Sequence, residues 1–329
     1  MTRQHAPRHR QQRGAALLLA MLILTLVATL ASGMIWQQWR AIQVEGAERA
    51  RTQSAWILSG ALDWARLILR EDARTGGADH LGEPWAVPLA EARLSSFLAA
   101  DRDNNSAAET DEIEAFLSGS IVDAQARWNL RKLVNDDPKI AAAQLRVLQR
   151  LCEQAGLPGD SAERIATALR KASAPSAAGA AGAAADEAAI APQRLTELAW
   201  LGIDADTLRR LEPWVTLLPR SDTTVNVNTA PAEVIAAAVE GMSLGSAQRL
   251  LQERQRTPIK DPGAPPGRAY FPADPLTILD GVGGTSSYFI VQGRLRLGDR
   301  VLEERSLIER RQLDIVVRAR ERINLRDGN

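Results

Sequence analysis

The stretch AALLLAMLILTLVATLASGMIWQQW, Ala15 to Trp39, decides how the rest of the chain is read. It contains no charge and no proline, and the next charged residue is Arg40. A helix needs roughly 20 such residues to cross a hydrocarbon core of about 30 Å, so the run reads as a membrane span. In front of it lies Met1–Gly14, with Arg3, Arg8, Arg10 and Arg13 and no acid, while mixed charges follow it. That asymmetry keeps the N-terminus cytoplasmic and sends everything after Trp39 across the membrane, which in a bacterium means into the periplasm.

The run passes without a break into helical sequence that reaches Asp72, still without proline. Ala55, Leu58, Leu62, Ala65 and Leu69 recur at three- and four-residue spacing and predict an amphipathic continuation. Thr75-Gly76-Gly77 ends it. Two processing routes fit the N-terminus. A conventional signal peptidase could cut near Ala31-Ser32-Gly33. A cut between Gly14 and Ala15 would instead keep the run as an anchor, and the length of the run and its continuity with the following helix favour this second route.

The 329 residues carry no net charge, so composition gives no push toward nucleic acid or acidic lipid. A single cysteine, Cys152, excludes an internal disulfide framework and reads as a small buried apolar residue. His5 and His9 lie in the basic stub and His80 in a glycine-rich loop, which argues against a histidine-based metal or catalytic site. Asp63, Asp123 and Glu233 are carboxylates that a hydrolase could use. No Ser/His pair, metal-spaced cluster or phosphate loop accompanies them. Asp101–Ser106 resembles the start of a calcium loop with Glu112 at its twelfth position, but Ser106 stands where that loop needs glycine. It reads as a solvated polar loop.

Farther along, residues 91–100 (EARLSSFLAA) read as helical and Gly119–Leu133 as extended, with Val122, Ala124, Ala126, Trp128 and Leu130 alternating. Asp123 and Asn129 fall there as turn or ladder-end groups. Helices are expected over Lys139–Gly156, over Ser161–Lys171 with Ser161 as cap, and over Arg194–Leu201 and Ala205–Trp214. Ser173–Pro192 is a low-complexity loop. The most specific local word is TTVNVNTAPAEVIAAAV, Thr223–Val239. It predicts Thr229 as a helix cap, Pro231 near the first turn and Glu233 where a carboxylate suits a helix N-terminus. A second helix follows over Ser246–Arg256. Tyr288–Leu297, Val301–Arg311 and Leu313–Arg320 form a three-strand meander with a hairpin at Gly298-Asp299, and Phe289, Val291, Leu295 and Leu297 share one face.

These pieces give an α+β fold in which a long N-terminal helix packs on a small antiparallel sheet that carries a large inserted all-α domain. The expected divisions are a leader at 1–14 and a membrane-spanning half-helix at 15–39. The helix tail and the start of the sheet fill 40–134, the helical insertion 135–285, and the closing strands 286–329.

This organisation resembles the minor pseudopilins of type II secretion known as general secretion pathway protein K. The resemblance covers nearly the whole chain. It rests on Arg13-Gly14-Ala15, on Asp63-Trp64-Ala65 with Arg70-Glu71-Asp72, and on Ser120-Ile121-Val122-Asp123 leading to Arg127-Trp128-Asn129-Leu130. It also includes Val225-Asn226-Val227-Asn228-Thr229-Ala230-Pro231 and the Arg-rich last strand. It implies a pseudopilin fold, no catalysis, and a place at the pseudopilus tip with other minor pseudopilins. It implies processing by a prepilin peptidase between Gly14 and Ala15, contact with the inner-membrane secretion platform, and neither nucleic acid nor a small-molecule substrate. Most pilins carry Glu at the fifth mature position, which is Leu19 here. A subunit without that carboxylate has no such contact to a subunit above it. Partners are expected on Ala55, Leu58, Leu62, Ala65 and Leu69. Asp123, Asn129, Leu130, Asn226, Asn228, Thr229, Ala230 and Pro231 carry the family motif. No cofactor is expected. Some members bind calcium through an acidic segment of the helical domain, and the matching region, Leu169–Asp186, offers almost no carboxylates. An alternative is a membrane-tethered DNA receptor of the competence type, because the Asn-x-Asn-Thr-Ala word followed by two helices resembles a helix-hairpin-helix. Against it, Asp222, Glu233, Glu240 and Glu253 offset Arg249, Arg254, Arg256 and Lys260.

Overall fold

The computed structural model describes residues 12–94, 115–173, 191–273, 281–298 and 300–326. The chain divides into two compact units, Met1–Ile57 and Leu58–Asn329. Helix α1 (Gln12–Thr75) begins in the first and ends in the second.

In the first unit every side chain from Ala15 to Arg49 is exposed. By length and composition the helix is apolar and long enough to cross a membrane. Its few hydroxyls are satisfied locally. Thr25, Thr29 and Ser32 donate to the carbonyls of Leu22, Leu26 and Ala28, so none needs a partner in hydrocarbon. At the polar end the Arg40 guanidinium lies 5.7 Å from the Trp36 ring centroid, a pairing suited to the interface between lipid and water.

In the second unit a five-stranded antiparallel sheet has the order β1-β2-β7-β8-β9. Its strands are β1 (Leu89–Arg93), β2 (Ala115–Asp123), β7 (Tyr288–Leu297), β8 (Arg300–Arg311) and β9 (Asp314–Arg326). Leu62, Ala65 and Leu69 of α1 pack with Trp85, Phe289, Val291, Ile308 and Ile315. Trp85 meets Phe289 edge-on, with ring centroids 5.2 Å apart. α1 ends where Gly76 takes φ 63° and its amide bonds back to the Asp72 carbonyl at 3.2 Å, the left-handed stop that glycine permits. Near this end Arg66 donates twice to the Ile315 carbonyl, at 2.9 and 3.1 Å, and Arg70 donates to that of Leu313 at 3.1 Å. These two side chains cap the start of the β9 edge.

The helical block is inserted between β2 and β7. It comprises β3 (Trp128–Asn129), α2 (Pro138–Gln154), α3 (Ser161–Ser173), α4 (Ala205–Leu211), β4 (Val215–Thr216), β5 (Val225–Asn226), α5 (Ala232–Ala238), α6 (Leu244–Arg254) and β6 (Val282–Gly283). The two-residue strands pair in parallel, β3 with β4 and β5 with β6. α2 shows how local sequence builds this block. The Asp137 carboxylate accepts from the Lys139 amide at 2.8 Å, Pro138 occupies the first turn, and Val147, Leu148, Leu151 and Cys152 are buried. Burial pushes the Cys152 thiol up to about 11. Trp128, Leu130, Leu133, Ile165, Leu169 and Leu198 join the same core, so the block takes in residues ahead of 135. The opposite face of the sheet meets it through Tyr288, Ala124 and Leu218.

Several elements differ from expectation. Glu91–Arg93 belongs to β1, because pairing of Arg93 with Phe116 and Ala92 with Leu117 outweighs a short helical pattern. The extended run from Gly119 stops at Asp123, whose carboxylate accepts from the Gln125 amide at 2.7 Å and starts a 3-10 turn. Arg194–Leu201 is a 3-10 helix over Leu195–Leu201. Ser161 is the first residue of α3, with a buried hydroxyl that has no partner, and does not cap it. The helix predicted over Ser246–Arg256 starts earlier, capped by Ser243, whose hydroxyl accepts from the Ser246 amide at 3.1 Å. The calcium-like loop, most of Ser173–Pro192 and Asp299 lie outside the described residues.

Candidate functional site

The family-motif residues converge on one buried junction between the sheet and the helical block. Asp123, at the end of β2, is 3% exposed. Its carboxylate accepts from the Thr229 hydroxyl at 2.6 Å, the Ser286 hydroxyl at 2.7 Å, Asn226 Nδ2 at 2.9 Å and the Gln125 amide at 2.7 Å. Burial pushes this carboxyl above its ordinary range, and the bonds from Thr229, Ser286, Gln125 and Asn226 oppose the shift. Three of these donors meet at Oδ2 and the fourth at Oδ1, so the group is built to hold structure together.

The Asn-x-Asn word supplies the remaining ties. Asn226 Nδ2 also reaches the Asp79 carbonyl at 3.0 Å, and its Oδ1 accepts from the Asn228 amide at 2.9 Å. Asn228 exchanges hydrogen bonds with the Ile259 backbone, both at 2.8 Å, and donates to the Gly284 carbonyl at 3.2 Å. Thr229 does not cap a helix. α5 begins at Ala232 with Pro231 as its N-cap, and the Thr229 hydroxyl is turned to Asp123. Ala230 is fully buried. On β3, Asn129 ties backbone together in the same way. Its amide donates to the Arg220 carbonyl at 2.6 Å and the Thr223 hydroxyl at 3.0 Å, while Oδ1 accepts from the Arg131 and Leu218 amides, both at 3.0 Å. Leu130 beside it is fully buried.

The network runs on through Ser286, Asp79 and Arg310, which sequence reasoning does not select, to Asp72. The Ser286 amide donates to Asp79 Oδ2 at 2.6 Å. Arg310 on β8 then bridges Asp79 and Asp72, at 2.6 Å to each. An arginine inside a strand looks solvent-facing by alternation, and only the fold brings it to two aspartates distant in sequence.

The expected partner residues sit elsewhere. Leu58, Leu62, Ala65 and Leu69 are buried in the chain's own core, at 3, 3, 6 and 0% exposure, so their apolar surface already faces the sheet. Ala55 belongs to the first unit. Beside these buried residues a groove of about 280 Å³ opens, floored by Leu117, Ile121 and Val291 and lipped by Trp64, Val87 and Leu89. α1 packs on Phe289 and Val291 of β7, Ile308 of β8 and Ile315 of β9, and the groove opens beside it over part of β2. Gly14, Ala15 and Leu19 all lie at the start of α1.

For metal, the described portion of the expected calcium segment, Leu169–Ser173, carries no carboxylate, so nothing described there fits the ion. Of the four basic residues near the Asn-x-Asn-Thr-Ala word, Arg254 is drawn inward, donating to the Val227 and Ala230 carbonyls at 2.7 and 2.6 Å.

Two family models, both described as type II secretion system protein K, match residues 126–220 and 225–264. The matched segments meet across the junction, one ending beside Asn129's acceptors and the other beginning at Val225. The chain is 28% identical over 326 residues to type II secretion system protein K of Pectobacterium carotovorum subsp. carotovorum, covering 91% of this chain and 92% of that one. Over 268 residues it is 29% identical to the protein of the same name from Pseudomonas aeruginosa, covering 75% and 74%. This chain belongs to the type II secretion system protein K family. The family is structural and not enzymatic. In fold, the chain is similar to a chain of the crystal structure of the GspK–GspI–GspJ complex from enterotoxigenic Escherichia coli, with a TM-score of 0.62 and 20% identity over 84% of this chain and 98% of that one. The mixed architecture, a long helix on an antiparallel sheet with an extra helical region, is thus that of a protein K fold.

Proposed function

We propose that this chain is a minor pseudopilin at the tip of the type II secretion pseudopilus, where it joins two other minor pseudopilins, the counterparts of GspI and GspJ, to initiate or cap the filament that exports folded proteins. The observation that carries the reading is the insertion of the whole helical block between β2 and β7, which enlarges the head that a subunit stacked above would have to clear. Leu19 supports it, since the membrane helix lacks the carboxylate that filament growth uses at that position. The apolar run anchors the chain in the inner membrane with its N-terminus cytoplasmic, and prepilin peptidase cuts between Gly14 and Ala15. The soluble portion lies in the periplasm, and the anchor meets the secretion platform.

The surface offered to the two other minor pseudopilins is the apolar groove that opens beside α1. Val87 and Leu89 stand on its lip at 69 and 40% exposure, so Val87→Glu and Leu89→Glu should leave folding intact. The test is co-purification of the full chain in detergent with its two partners. The double variant is expected to bind at least tenfold more weakly at unchanged thermal stability. Failure of the parent chain to bind either partner would overturn the tip assignment, and unchanged binding by the variant would overturn the groove.

A further inference from the structure

Three carboxyls meet one guanidinium where α1 ends. Asp72 lies in the last turn of α1, Asp79 and Glu83 in the loop that follows, and Arg310 near the end of β8. One oxygen from each carboxyl lies within 4.8 Å of the others. The side chains of Asp72, Asp79 and Arg310 are 9, 5 and 12% exposed. A single guanidinium therefore serves two nearly buried acids, with a third, half-buried Glu83 beside them, and the negative charges outnumber the positive one. Neutral donors serve two of the acids. Asp79 takes the Ser286 amide at 2.6 Å, and Glu83 takes the His80 amide and the Trp85 indole, both at 2.8 Å. A carboxyl oxygen of Asp72 lies within 4.8 Å of one from Glu83. Two carboxylates held that close repel each other, and a proton between them removes the repulsion.

We propose that the folded chain keeps one proton between Asp72 and Glu83, and that its loss loosens the loop 76–88 from the end of α1 and from β8. The other charged groups around the pair are accounted for. Glu71 turns outward to Arg74 at 3.0 Å, Arg311 pairs with Glu309 at 3.0 Å, and His80 accepts from the Gly82 amide through Nδ1 at 3.1 Å. Burial, with Glu83 and Asp79 adding to it and Arg310 opposing, pushes Asp72 up to about 6. A carboxyl raised in this way binds its proton more tightly folded than unfolded. The stability it lends is full below about pH 4 and is lost as pH rises through about 6.

Amide hydrogen exchange of the full chain in detergent, read by mass spectrometry on peptides spanning 72–88 and expressed as protection factors, tests this. Protection is expected to fall about tenfold between pH 5 and pH 8, the change that linkage gives for a carboxyl moving from about 4 to about 6 on folding. Peptides of α2 serve as the reference. Asp72→Asn should abolish the fall. If that variant is unprotected at both pH values, Glu83→Gln, which keeps the pair with Arg310, decides: a flat profile supports the shared proton and a tenfold fall overturns it. Equal protection of the parent chain at both pH values, or abolition of the fall by His80→Gln, would also overturn it.

Discussion

Replacing Asn226 with Asp exchanges one nitrogen for one oxygen at the centre of the junction. The new oxygen would stand 2.9 Å from Asp123 Oδ2, in a pocket where Asn226 is fully buried. Two carboxylates so close cannot both ionise, so one must hold a proton at neutral pH. Keeping an ordinary aspartate protonated at pH 7 costs about 1.4 kcal/mol for each of roughly three pH units, or about 4 kcal/mol. The lost amide donor, which also serves the Asp79 carbonyl and Ser286, adds about 1–3 kcal/mol. At pH 4 the proton is nearly free, and only the second contribution remains. Urea unfolding of the full chain in detergent, followed by tryptophan fluorescence, should therefore show a variant about 5–7 kcal/mol less stable at pH 7, with most of that gap closed at pH 4. A gap below about 2 kcal/mol at pH 7, or one that does not change with pH, would refute the placement of Asn226 against a buried carboxylate.

Two further substitutions probe the ties around this centre. A Cβ on Gly284 would lie 2.0 Å from the Ile259 carbonyl oxygen and 2.4 Å from that of Lys260, so Gly284→Ala should cost more than about 3 kcal/mol, measured as a fall in thermal midpoint alongside the parent chain. Arg254→Met keeps the bulk and leaves the Val227 and Ala230 carbonyls without their donor, at an expected cost of about 1–3 kcal/mol in urea unfolding. Arg254→Lys should recover some of it.

The regions of the fold that declare themselves in sequence are those whose stability is local. α2 has its aspartate cap, its proline and its glycine stop within one stretch, and β7 to β9 alternate over ten or more residues each. β1 does not declare itself, because Leu89–Arg93 is a strand only by virtue of lying against β2. The alternation from Val122 through Leu130 misleads for a related reason. Asp123, read alone, is a residue at a strand end; buried beside Thr229 and Ser286, it turns the chain away from the sheet. The Asn-x-Asn-Thr-Ala-Pro word stands out in the sequence, yet Thr229 finds its partner 106 positions away, where helix-cap reasoning cannot reach. Arg310 is further from legibility still, since its two aspartates lie more than 230 positions upstream. For the partner stripe the periodicity is real, but the sheet of the same chain occupies that face first.

The two arginines of α1 that reach the start of β9 have a consequence for the border of the sheet. A strand at the border of a sheet is a template for the next strand, whichever chain offers it. Here the carbonyls of Leu313 and Ile315 already accept from Arg70 and Arg66, and the intruding strand would have to displace two charged donors before its first bond could form. Zippering of a foreign strand from that end therefore lacks a starting point.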